Sequence, residues 1–168
     1  MANPCSFCKA ECCKSYTITA TAFDILRAMQ RTGRSHEEFA SLHQARLLAF
    51  DPDMTLDMED DSWIYTLGFR SHPCVFLKND RCAIHDCAPM ACRRFPFTLA
   101  GELNTRFCPI PSQLVFRFRS PDVPADKMTH ELEAHKKIVK EWNKKPGKKS
   151  ECIGFLLEKA RAIQASVP

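Results

Sequence analysis

Four cysteines open the chain as Cys5-x-x-Cys8-x-x-x-Cys12-Cys13, and five more follow at Cys74, Cys82, Cys87, Cys92 and Cys108. Nothing else in the sequence limits the fold so strongly. Each thiolate carries charge, and several in one place repel unless a cation neutralises them. A nest of thiols therefore implies disulfides or metal. The first residues, MANPCSFCKAECC, contain no apolar h-region, so no signal peptide is predicted. No stretch is long and apolar enough to cross a bilayer. A reducing, cytoplasmic setting is expected, where such spacings read as metal-binding or redox sites, not as a disulfide scaffold. The formal charge of +4 is modest, and metal-bound thiolates would bring it closer to zero. Neither nucleic acid nor membrane is expected as a partner; an unidentified protein partner or substrate is left open.

The 168 residues suit one compact domain with a real core. Residues 1–14 read as a thiol-rich arm. Thr19 or Thr21 caps a helix that carries Phe23, Ile25, Leu26 and Met29 and ends at Gly33. Ser35-His36-Glu37-Glu38 is a capping box, and the spacing of Phe39, Leu42, Ala45 and Leu48 predicts a second helix to about Phe50. Asp51-Pro52-Asp53 breaks it, and Asp57 to Asp61 reads as an exposed loop. Trp63, Tyr65 and Leu67 alternate in a predicted strand from Ser62 to Phe69. Cys74 to Leu77 and Cys82 to Ile84 form a hairpin around Lys78-Asn79-Asp80. Pro89 starts a short helix to Arg93. Phe97 to Phe107 reads as a second hairpin, and Leu114 to Phe118 as a further strand. Met128, Leu132, His135, Ile138, Val139 and Trp142 mark a long amphipathic helix from Ala125 to Lys145, stopped by Pro146-Gly147. Glu151 to Ala165 is the last helix. The expectation is a helix-rich α+β domain with a small antiparallel sheet and a cysteine-ligated metal centre. Residues 1–120 form the metal-binding core, and residues 121–168 form a helical pair packed on it in the same domain.

Eight cysteines make up the expected ligand pool: Cys5, Cys8, Cys12, Cys13, Cys74, Cys82, Cys92 and Cys108. A CxxC knuckle suits one tetrahedral metal, because a tight turn aims both sulfurs the same way. Neighbours such as Cys12 and Cys13 more naturally serve two metals or two roles. Eight thiolates suffice for two four-coordinate sites, or for one site and a reactive remainder. Neither cluster alone offers a comfortable set of four, so the arm and the first hairpin should meet in space. Arg93 and Arg94 follow Cys92 and can offset thiolate charge. Cys152, with Phe155 and Leu156, reads as core packing. His36, His43, His130 and His135 fall on predicted helices without a partner pattern.

In order, these motifs are Cys5-x-x-Cys8-x-x-x-Cys12-Cys13, Cys74-Val75-Phe76-Leu77, Arg81-Cys82-Ala83-Ile84, Pro89 and Cys92-Arg93-Arg94-Phe95-Pro96-Phe97. The set resembles a cysteine-cluster family described as a zinc- or iron-chelating domain, over about Cys5 to Cys108. That domain is also similar to part of the flagellin lysine methylases. The chain departs from the family pattern at His85, where Tyr is usual, and at Ala88, where Arg is usual; Cys87 is an extra thiol. These changes open His85 and Cys87 as additional ligands.

Three functions compete. The first is an iron–sulfur or iron centre for electron transfer or protein modification, although the chain has no Gly-rich nucleotide fingerprint. The second is a zinc-binding structural or metal-handling module without catalysis. The third, a thiol–disulfide oxidoreductase using Cys5 and Cys8, lacks a thioredoxin-like βαβ context. The resemblance adds weight to iron, with zinc as the alternative; sulfur donors alone do not choose between them.

Overall fold

Thr21 and Gly33 bracket the first long helix. The computed structural model describes residues 9–47, 51–70, 72–97, 103, 108–118 and 125–166. Helix α1 spans Glu11–Ser15 and α2 spans Ala22–Thr32. The Thr21 hydroxyl accepts from the Asp24 amide while the Asp24 carboxylate accepts from the Thr21 amide, a reciprocal capping box. Gly33 closes α2 at φ 68°, where a side chain would be strained, and donates its amide to the Met29 carbonyl.

The predicted helix after Ser35 is corrected. The capping box forms, but it supports only a 3-10 turn at His36–Glu38. The chain then becomes strand β1, Ala40–Gln44, paired antiparallel with β2, Tyr65–Phe69, with Leu42 opposite Leu67. His43 therefore lies on a strand, its Nε2 2.9 Å from the Phe69 carbonyl oxygen. A 3-10 turn follows at Ala45–Leu47; residues 48–50, the predicted helix end, lie outside the described residues. Tertiary pairing overrides local preference here. Extended backbone carries Phe39 into an aromatic group with Phe69 and Phe76, centroids 5.0–5.8 Å apart, as a helix would not.

Strand β2 is shorter than expected and does not alternate: all five residues are buried. Its second edge explains this. The Leu67 carbonyl accepts from the Ala20 amide, and the Phe69 amide donates to the Ile18 carbonyl. A third extended segment thus covers β2. Gly68 is required there, since a Cβ would stand 2.6 Å from the Ile18 carbonyl oxygen.

The hairpin is built from β3, Leu77–Lys78, and β4, Arg81–Cys82. Asn79 and Asp80 both have positive φ, 48° and 57°, as a tight two-residue turn needs. Cys74 falls just outside the strand, in a turn closed by the Leu77 amide on its carbonyl. Helix α3, Met90–Arg94, follows Pro89 as predicted. The expected second hairpin leaves one antiparallel bridge, Phe97 to Leu103; its other residues, 98–102 and 104–107, lie outside the described residues. The predicted strand at Leu114 to Phe118 is instead helix α4, Ile110–Phe116. Pro109 caps it, and Pro111 sits in its first turn with φ preset for a helix.

Helices α5, Ala125–Lys144, and α6, Lys149–Ser166, form the predicted antiparallel pair, and α6 packs on α2. Ile138, Val139, Leu156 and Leu157 are buried, and Trp142 stacks against the half-buried Phe155 at 5.2 Å. The connection is stitched to the acidic segment. Trp142 Nε1 donates to the Asp57 carbonyl at 2.7 Å, and Asn143 Nδ2 donates to the Thr55 carbonyl at 2.8 Å. The result is a helix-rich α+β domain with small antiparallel sheets. Among the described residues, no helix is long and apolar enough to cross a membrane.

Trp142→Ala should cost about 3–5 kcal/mol in chemical denaturation, because it empties a large core site and frees the Asp57 carbonyl. His135 provides a second test. It is 1% exposed, its Nδ1 accepts from the Ala22 amide, and burial lowers its pKa from 6.5 to about 4. Between these values the unfolded chain binds the extra proton and the fold does not. Stability is therefore full above pH 6.5 and is lost as pH falls toward 4, by on the order of 3 kcal/mol. Urea midpoints of the metal-free chain across this range should show that slope, and His135→Gln should flatten it.

Candidate metal centre

The vicinal pair sits on α1, whose position is set by Ala10. This residue takes a left-handed conformation, φ 55°, and its carbonyl accepts the Cys13 amide at 2.9 Å. Such strain in a non-glycine residue is held by surrounding structure and concentrates at functional sites. It turns the chain sharply just before Cys12. The Cys74 amide then donates to the Cys13 carbonyl at 2.8 Å, and Lys14 reaches Asp80 in the hairpin turn at 2.6 Å. The start of the chain and the hairpin thus meet, as far as the described residues reach. Cys5 and Cys8 lie outside them.

Cys12, Cys74, Cys82 and Cys92 come within electrostatic reach of one another, and Cys13 within reach of Cys12, Cys74 and Cys92. They derive from α1, the turn before β3, β4 and α3. Cys13 and Cys74 are each 7% exposed. Cys92 is placed by its single-turn helix, where its amide donates to the Pro89 carbonyl at 2.9 Å. Phe95 at the helix end packs 6.1 Å from the Tyr16 ring beyond α1, which braces the two cysteine-bearing turns against each other. Cys108 is half-buried just before α4, its carbonyl accepting from Gln113 Nε2 at 2.7 Å.

The electrostatics show what these sulfurs need. The hydrogen bond from Cys13 lowers Cys12 from 9.0 to about 7, and the same contact, with burial, pushes Cys13 far up. Only one thiol of the pair ionises by itself. Burial raises Cys74 and Cys82, and raises Cys92 well above its ordinary value, each with a further rise from neighbouring thiolates. A bound cation reverses this balance, because coordination deprotonates a thiol outright.

The donor set fits zinc or iron, both of which favour thiolate. The Cys12 and Cys13 sulfurs are 4.0 Å apart. Sulfurs on one tetrahedral zinc, each about 2.3 Å from the metal, stand about 3.8 Å apart. The sulfur spacing is compatible with one shared ion and equally with the two separate roles expected of neighbours. Among the described residues, no group of three or more His, Cys, Asp or Glu side chains already stands in a metal-binding arrangement.

His85 is exposed, in the 3-10 turn His85–Cys87. Ala88, where the family usually carries Arg, is 2% exposed. Cys87 is half-buried, within reach of the Arg31, Arg27 and Arg93 charges as well as Cys82. The Arg93 Nε is buried without a hydrogen-bond partner among the described residues, and the Arg93 charge acts on Cys87. Cys152 is fully buried between the helices, where burial alone raises it to about 12, as its core assignment anticipates. Sequence reasoning missed Asp24 and Arg27. Thr21-x-x-Asp24 is visible as a cap, but a buried carboxylate shared with a later segment leaves no local signal.

Cys74→Ser or Cys92→Ser should reduce bound metal per chain, read by elemental analysis of anaerobically purified protein. Cys152→Ala should keep wild-type occupancy and lower only the denaturation midpoint.

No curated protein and no solved structure matches the chain. One family model does match, over residues 4–110: CxxCxxCC, described as "Putative zinc- or iron-chelating domain". That span covers both the vicinal pair and the hairpin thiols, so the chain belongs to this family of zinc- or iron-chelating cysteine-cluster domains.

Proposed function

We propose that the chain holds an iron centre, as a mononuclear ion or an iron–sulfur cluster, for redox or protein-modification chemistry. The observation that supports this reading is the meeting of thiol-bearing segments: the Cys74 amide bonds to the Cys13 carbonyl, beside the Cys12–Cys13 pair, and Cys82 and Cys92 feel the charge of Cys12 and Cys74. One structural zinc needs four donors. The described segments bring five thiols to this region before Cys5, Cys8 and Cys108 are counted, and the full pool of eight exceeds that need. When bound, iron would supply one-electron chemistry at a potential tuned by local charge, burial and hydrogen bonds to sulfur. In this reading residues 1–120 carry the centre and residues 121–168 brace it. At least one of the Arg93 and Arg94 guanidiniums offsets thiolate charge, so its loss should lower the reduction potential of a bound cluster.

A second reading has its own observation. Cys12, Cys74, Cys82 and Cys92 interact as a set of four, the number that closes a structural zinc site. The site would then hold the fold together without chemistry of its own.

Elemental analysis and visible absorption of anaerobically purified protein separate the two. Iron with sulfur-to-iron charge-transfer colour is expected; stoichiometric zinc in a colourless protein would establish the second reading. In either case a chelator should lower the thermal midpoint sharply, because metal binding here is coupled to folding. An unchanged midpoint, with the metal shown to be gone, would count against a centre that ties the segments together.

A further inference from the structure

Asp24 does more than cap α2. Its carboxylate is 2% exposed and takes donors from three places. Oδ2 accepts from the Thr21 amide and the Thr21 hydroxyl, each at 2.9 Å. Oδ1 accepts from Arg27 Nη2 and, at 3.2 Å, from the Met90 amide. Met90 is the first residue of α3, and Cys92 lies two residues further along. A single-turn helix has almost no stability of its own. Pro89 provides no side-chain cap for it, so this amide would otherwise be an unmet donor at the helix start. The carboxylate is itself held, since Arg27 also pairs with Glu131 on α5. A chain of charged contacts therefore runs from α5 through α2 to the turn that carries Cys92.

We propose that Asp24 is a positioning residue for the metal centre, fixing α3 through the Met90 amide so that Cys92 faces Cys12, Cys74 and Cys82. The inference rests on the reading of Cys92 as a ligand. Outer partners that orient metal ligands typically matter by on the order of 10- to 100-fold in metal affinity. Thr21 supplies the control. Thr21→Ala removes the hydroxyl that caps α2 but leaves the bond from Met90 to Asp24.

The test is anaerobic titration of the reduced full-length chain with Co²⁺ alone, following the thiolate-to-cobalt charge-transfer and ligand-field bands. Asp24→Ala should weaken binding by on the order of 10- to 100-fold relative to Thr21→Ala and change the ligand-field bands, which report coordination geometry and not stability. Asp24→Asn, which keeps one carbonyl acceptor, should recover part of that loss. Should the alanine variant fail to fold, the asparagine variant carries the comparison, with binding weaker than that of Thr21→Ala. Asp24 variants with the affinity and spectrum of Thr21→Ala, in a wild-type chain that binds Co²⁺, would overturn this inference alone. A wild-type chain that binds none would overturn the reading of the centre and this inference with it.

Discussion

The Cys74 amide bonded to the Cys13 carbonyl joins two segments far apart in sequence, and the architecture around the thiols is arranged to keep that contact. One backbone hydrogen bond contributes only about 1 kcal/mol net. It cannot by itself hold charged sulfurs together against their repulsion. Its value is geometric: it fixes the vicinal pair against the turn that opens the hairpin. The left-handed Ala10, the Lys14–Asp80 pair and the Tyr16–Phe95 contact constrain the same junction from other sides. The ion pair is exposed enough to be screened and serves orientation more than stability.

The energy for this arrangement comes from elsewhere. α6 packs on α2 and α5, and their apolar side chains are removed from water where the burial is nearly complete. A second apolar centre gathers Phe39, Phe69 and Phe76, which bind the hairpin to β1 and β2. The thiols lie beside these cores. That placement raises the cost of ionising them and makes a cation the natural way to stabilise the thiolate form. Asp24 links the two regions, because it caps a core helix on one side and receives the Met90 amide on the other.

Several elements were legible in the residues. Thr21 and Gly33 mark the ends of α2 through short-range chemistry. Asn79-Asp80 marks a hairpin, since both residues tolerate positive φ. The period of Ile138, Val139 and Trp142 marks α5, and Cys152 falls in the core as its apolar neighbours suggest. Two elements misled. Phe39 to Leu48 has a helical spacing, but Ala40–Gln44 pairs with β2, and that pairing places Phe39 among the aromatic rings. Leu114, Phe116 and Phe118 alternate like a strand, yet Pro109 and Pro111 start a helix there. Both patterns are short, and a short pattern yields to whichever backbone partner the tertiary fold supplies.

By itself the sequence determined the donor chemistry: ten cysteines, nine of them in two clusters whose order matches one family, and a vicinal pair that requires a tight local turn. It also determined the capped and periodic helices, because caps and amphipathic faces depend on residues a few positions apart. The tertiary structure alone decided which thiols lie within reach of each other's charge, and in which direction burial and mutual charge push each of them. It alone brought Asp24 to the start of α3. Electrostatic coupling depends on distance and dielectric between groups distant in sequence, and neither is fixed until the chain has folded.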